Sequence, residues 1–192
     1  MAVAVGYARR GTTARSAERR LDPERLGDHL DRLYRAAWGL CGSREDAEDL
    51  VQETYARVLA KPRLLRSDDD LGYLLRVLRN TYFSSRRAAR SRLQPDPLPD
   101  GQDGLEDRSL PGPQQALEAR EIYALIAALP EAFRDAVVAI DVLGLSYREA
   151  SRALRVREAT ITTRLHRARL RLADALEGND RGTESVMISE RS

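Results

Sequence analysis

Between Gly144 and Leu176 the chain carries a stop, a cap and an arginine-faced helix in close succession, and few folds accommodate all three. Gly144 suits the left-handed conformation that closes a helix. Ser146-Tyr147-Arg148-Glu149 is a capping box: the serine hydroxyl accepts from the amide of Glu149 while that carboxylate accepts from the amide of Ser146. Behind it, Ala150, Ala153 and Leu154 form the apolar face of a short helix, which Arg155-Val156-Arg157 interrupts. From Glu158, Ile161, Leu165, Ala168 and Leu172 recur at i, i+4, i+7 and i+11, one stripe of a second helix. The other side carries Thr160, Thr163, Arg164, Arg167 and Arg171, and residues 152 to 171 hold seven arginines against the single acid Glu158. A basic face alone is usually just solvated. A capped short helix, a three-residue turn and a one-sided basic helix together predict a helix-turn-helix, whose second helix enters the major groove with arginines on phosphates.

The rest of the chain is read around this unit. Its 192 residues suffice for one ordinary domain or two small ones, and 5% aromatic with 32% charged residues predicts an all-α protein without a membrane span. The single cysteine, Cys41, has no internal disulfide partner, which fits a reducing cytoplasm, and is expected to be a small buried hydrophobe. The net charge of +2 conceals segregation: residues 44 to 53 hold five acids and one arginine, and residues 86 to 92 hold four arginines and no acid. Such blocks imply different partners for different surfaces. No phosphate-cradling glycine motif, nucleophile with a base, or metal cluster can be assembled, so neither catalysis nor a cofactor is expected. Asp46, Asp49 and Glu53 lack the accompanying Glu-x-x-His of carboxylate-bridged bundles.

In order, residues 1 to 22 read as a disordered basic arm. Asp22-Pro23 opens a helix through about Cys41, with Leu26, Leu30, Leu33 and Ala37 on one face. After Gly42, Ser43 caps a helix that Pro62 ends; Ala47, Leu50, Val51 and Val58 face inward and Asp46, Asp49, Gln52 and Glu53 outward. A polar loop, Arg63 to Asp70, leads to a helix with Leu71, Leu74, Leu75, Leu78 and Tyr82 at core spacing. Its second stripe, Tyr73, Arg76, Asn80, Phe83 and Arg87, suits stacking on unpaired bases, or else Tyr73 and Phe83 widen the core face. Residues 93 to 115, with five prolines, three glycines and five acids, form a flexible acidic linker. Two small helical domains, 23 to 92 and 116 to 177, are thus predicted, with a frayed polar tail over 178 to 192. In the second, Ile122, Leu125, Ile126 and Leu129 line one helix, and Phe133, Val137 and Ile140 the next, which Pro130 starts. No segment reads as a strand.

Three stretches resemble the extracytoplasmic-function (ECF) sigma factors of the RNA polymerase sigma-70 family. Asp46-Ala47-Glu48-Asp49-Leu50-Val51-Gln52-Glu53-Thr54 is similar to the family's polymerase-binding signature. Tyr73-Leu74-Leu75-Arg76-Val77-Leu78-Arg79-Asn80 is similar to its promoter-melting helix, with tyrosine where tryptophan is usual. Leu129-Pro130-Glu131 to Leu172, including Arg164-Leu165-His166-Arg167-Ala168-Arg169, is similar to its second conserved domain.

The resemblance implies a cytoplasmic, non-catalytic specificity subunit, tied to stress response. Asp46, Asp49, Leu50, Gln52 and Glu53 would dock on the clamp helices of the largest polymerase subunit, and the second domain on the flap of the second-largest. Arg63, Ser67, Tyr73, Arg76, Arg79, Asn80 and Arg87 would read and open the minus-10 element, with the loop from Arg63 to Asp70 capturing a flipped base. Arg157, Glu158, Thr160, Thr163, Arg164 and Arg167 would meet the minus-35 element, and an anti-sigma factor would hold the chain inactive. The family's usual glycine in the turn is Arg155 here, and its small polar cap is Arg157. The alternative is a free-standing helix-turn-helix regulator, which would bind a palindrome without polymerase.

Overall fold

In the computed structural model, the residues described are 19–20, 26–61, 64–65, 69–92 and 113–189. A 3-10 turn, Gly27–His29, runs into α1, Leu30–Cys41, which Gly42 closes at φ 85° with its amide donating to the Trp38 carbonyl. Helix α2, Arg44–Ala60, starts on Ser43, whose hydroxyl accepts from the Asp46 amide at 3.2 Å. Helix α3 spans Asp70–Arg92 and α4 spans Pro113–Ala128. Helix α5, Glu131–Val137, passes into a π turn, Val138–Val142, and Gly144 at φ 68° breaks the chain before α6, Tyr147–Leu154, and α7, Glu158–Ser189.

The core follows the periodicities in most places. Leu33, Ala37, Leu74, Leu75 and Leu78 bury in the first domain, and Val137, Ile161, Leu165 and Ala168 in the second. Thr54 lies among the apolar residues of α2 because its hydroxyl donates to the Leu50 carbonyl at 2.7 Å, which satisfies it inside the helix. The two domains share one continuous apolar interior, and α1 packs on α2 and α3 on one side and on α4 and the π turn on the other.

Several expectations are corrected. Leu30 and Ile122, assigned to core faces, are each 46% exposed. In both helices a different residue meets the other domain: Trp38 and Tyr123 stack with ring centroids 4.4 Å apart. Helix α4 begins at Pro113, inside the stretch read as linker, with proline at the first helical position, where its missing amide costs nothing. Helix α7 continues to Ser189 instead of fraying after Gly178; residues 178–189 contain no proline to stop it. Arg19–Arg20 and Leu64–Leu65 pair as a two-residue antiparallel ladder, where no strand was expected, so the end of the basic arm is tied by its backbone to the loop before α3. The remainder of the arm and residues 93–112 of the linker lie outside the described residues.

The capping box forms as read. The Ser146 hydroxyl accepts from the Glu149 amide at 3.3 Å, and the Glu149 carboxylate accepts from the Ser146 amide at 2.8 Å and from its hydroxyl at 2.6 Å. Those bonds from Ser146 hold the Glu149 carboxyl below its ordinary range. A depressed carboxyl stabilises the fold fully above its unfolded value, and that contribution is lost as pH falls through the folded value. Ser146→Ala is therefore expected to cost about 1 kcal/mol at neutral pH, and the gap to wild type should narrow below pH 4, as followed by denaturant unfolding at both pH values.

Candidate nucleic-acid interface

The acidic face of α2 borders a cavity of about 1030 Å³ between α2 and α3. Asp46, Asp49, Leu50, Gln52 and Glu53 line one wall, and Tyr82, Ser85 and Arg86 the other. Of the five, Leu50 is 6% exposed and belongs to the core, so its part in any docking is to support the wall. Glu53 is exposed and paired with Arg57 at 2.7 Å, one helical turn on. Cys41 also faces this cavity, and burial, reinforced by the Asp46 carboxylate, pushes its thiol up to about 12.

On α3 the second stripe divides. Asn80 and Arg87 are exposed, whereas Tyr73 and Phe83 are half-buried and pack one side of their rings against the core. The Arg79 guanidinium lies 4.7 Å above the Phe83 ring and is held by the second domain: its Nε donates to Asp135 Oδ2 at 2.6 Å and one Nη to Glu131 Oε1 at 2.8 Å. Arg76 donates to the Arg152 carbonyl at 3.3 Å, and Arg152 itself pairs with Asp69 at 3.4 Å. Two of the residues assigned to minus-10 DNA thus face the second domain in this conformation. Arg63 and Ser67 lie outside the described residues.

Asp135 had no place in the sequence reading, although an acid followed by Ala136, Val137 and Val138 is the signal that could have found it. It is 4% exposed, and burial raises its carboxyl above the ordinary range even though Arg79 pulls the other way. Its neighbour Arg134 is 6% exposed, donates to the Ala127 carbonyl at 3.0 Å and lies 5.2 Å from the Tyr82 ring of α3.

In the second domain the α6 to α7 turn is closed by Arg155 at φ 56°, the left-handed position that more often takes glycine. The Val156 amide donates to the Ser151 carbonyl and the Ser151 hydroxyl to the Val156 carbonyl at 2.6 Å, so the turn is bonded in both directions. The Arg157 carbonyl accepts from the amides of Thr160 and Ile161 and starts α7; no side-chain cap is required of it. Ile161, Leu165 and Ala168 anchor the helix inward. Arg157, Glu158, Thr163 and Arg167 are exposed on its outer side, with Thr160 and Arg164 half-buried beside them. Thr163 donates to the Ala159 carbonyl at 3.0 Å, which satisfies its hydroxyl within the helix. Further along, Arg169 is paired with Asp141 through two bonds of 3.1 and 2.5 Å, and Arg171 lies over Phe133 at 5.0 Å. These two brace α7 against the π turn and α5, so the arginines available for phosphate sit in the first three turns.

Comparison with known proteins matches this division. Residues 26–92 match Sigma-70 region 2, and residues 119–172 match Sigma-70, region 4. The ECF RNA polymerase sigma factor SigE of Mycolicibacterium smegmatis is 36% identical over 157 residues, covering 80% of this chain and 60% of that protein. EcfG of Rhodopseudomonas palustris, another ECF RNA polymerase sigma factor, is 33% identical over 73% of this chain and 76% of its own length. Among solved structures, the sigma factor RpoE of Bartonella quintana, crystallised with the anti-sigma factor NepR, superposes with a TM-score of 0.60 at 25% identity, covering 80% of this chain and 95% of that one. Two family regions in the right order on one chain, around an acid-faced helix and an arginine-faced one, place this protein in the family of ECF RNA polymerase sigma factors.

Proposed function

We propose that this chain is a non-catalytic subunit that binds core RNA polymerase and directs it to promoters by reading minus-10 and minus-35 elements. The observation that carries the proposal is the pairing of an acid-walled groove on α2 with an arginine-bearing helix in each domain, since one surface serves the enzyme and the other two serve DNA. Asp46, Asp49, Gln52 and Glu53 take the clamp helices of the largest subunit, and the second domain takes the flap of the second-largest. Arg76, Arg79, Asn80 and Arg87, with Arg63, Ser67 and Tyr73, serve the minus-10 strand. Arg157, Glu158, Thr160, Thr163, Arg164 and Arg167 serve the minus-35 groove, where Glu158 selects for a cytosine amino group.

The protein works in the cytoplasm; among the described residues no helix is long and apolar enough to cross a membrane. It is a target for an anti-sigma factor, as its Bartonella relative is for NepR. A free-standing regulator would have no use for a Sigma-70 region 2, and residues 26–92 match one.

Run-off transcription with core polymerase on fragments of the source genome should yield promoter-specific transcripts that depend on this chain; none from any fragment would refute the proposal. Asp49→Ala with Gln52→Ala should weaken polymerase binding while sparing the minus-35 interaction of the holoenzyme once assembled at high concentration. Equal loss in both would contradict the assignment. Charge reversal at Arg167 should lower promoter affinity and reduce the slope of log affinity against log salt by about one for each lost phosphate contact, measured by titration across salt concentrations.

A further inference from the structure

Among the described residues three positions hold a left-handed backbone, each just past a helix or helical turn, and two of them are glycine: Gly42 at φ 85° and Gly144 at φ 68°. At both of these, space is short as well. A Cβ on Gly42 would stand 2.9 Å from Ala127 Cβ, and one on Gly144 would stand 3.3 Å from an Arg32 nitrogen. The third position is Arg155 at φ 56°, the one described non-glycine residue with a positive φ. For an L residue that conformation crowds Cβ against the following carbonyl oxygen. Glycine would relieve it.

Nothing in the fold asks for an arginine here. The amides of Arg155 and Val156 both donate to the Ser151 carbonyl, and the Ser151 hydroxyl donates to the Val156 carbonyl, so Ser151 and the backbone set the turn. The Arg155 side chain is exposed, and among the described residues no hydrogen bond, ion pair or ring contact holds its guanidinium. Strain kept without a packing reason points to a use outside the fold.

The seven arginines of residues 152 to 171 divide along the same line. Arg152 is paired with Asp69, Arg169 with Asp141, and Arg171 lies over Phe133. The other four have no such partner among the described residues, and three of them, Arg157, Arg164 and Arg167, serve the minus-35 groove in the function proposed above. Arg155 is the fourth. It stands three residues ahead of Glu158, where α7 begins. The start of a recognition helix meets base edges, so a long cationic side chain just ahead of it lies at the rim of the groove, where the phosphates run.

We infer that Arg155 is an additional phosphate anchor of the minus-35 interface, holding the DNA backbone beside the groove that α7 enters. This rests on the promoter-reading role assigned above. The contact carries no sequence information; it adds affinity and fixes the helix in its register.

The test separates strain from charge in the full chain. Arg155→Gly relieves the turn and removes the cation, Arg155→Asn removes the cation with a residue that tolerates the left-handed region, and Arg155→Lys keeps the charge. Thermal unfolding of Arg155→Gly should come at or above the wild-type midpoint. On a mixed-sequence duplex of about 30 base pairs, the Gly and Asn variants should bind about eightfold more weakly at about 0.1 M salt, with the slope of log affinity against log salt reduced by about one. Arg155→Lys should restore most of both. Unchanged affinity in the Gly and Asn variants, or weaker binding at an unchanged slope, would overturn the inference. Weaker assembly with core polymerase at an unchanged DNA slope would assign Arg155 to the flap and overturn it too. If charge removal at Arg155 and at Arg167 each lowers the slope on mixed-sequence duplex while the wild-type chain with core polymerase makes no promoter-specific transcript, the phosphate contact stands and the promoter role fails.

Discussion

Helix α1 is the element both domains share, and the absence of a side chain at Gly39 is what lets them share it. With no Cβ there, Val138 and Ile126 approach the α1 backbone closely and Trp38 meets Tyr123 face to face. Apolar burial at this seam is the non-directional part of the association; the ions at its edge set the register. At that edge burial works against the negative charge of Asp135 and raises its carboxyl, while Arg79 works for the charge; a buried ion pair of this kind orients its partners more than it stabilises them.

Arg79 and Arg76, both candidates for contact with DNA, bond in this conformation to groups of the second domain. The acid-walled groove is lined by residues of the first domain, and Arg134 of the second domain lies over the ring of Tyr82 on its wall.

How much of this could be read from the chain depended on the range of the physics. Local rules worked: the capping box at Ser146, the left-handed glycine at 144, the break at Gly42 and the inward stripe Ile161, Leu165, Ala168 all follow from bonds or contacts within a few residues. Periodicity failed where a helix has two neighbours. On α1 and α4 the apolar residues outnumber the positions one core can take, and which of them stay in water depends on where the other domain lies; Leu30 and Ile122 lost, Trp38 and Tyr123 won. The candidate DNA residues were legible as types and spacing. That Arg79 would find carboxylates 52 and 56 residues away was not, because pairing across domains leaves no local trace. Arg155, set down as a departure from the usual glycine, adopts the left-handed geometry all the same, with the bonds between Ser151 and Val156 closing the turn around it.

Cys41 sits where α1 meets the groove between α2 and α3. Burial, reinforced by the Asp46 carboxylate, pushes its thiol up to about 12, which favours the protonated form, so that beside a wall of carboxylates the sulfur adds apolar surface and no further negative charge.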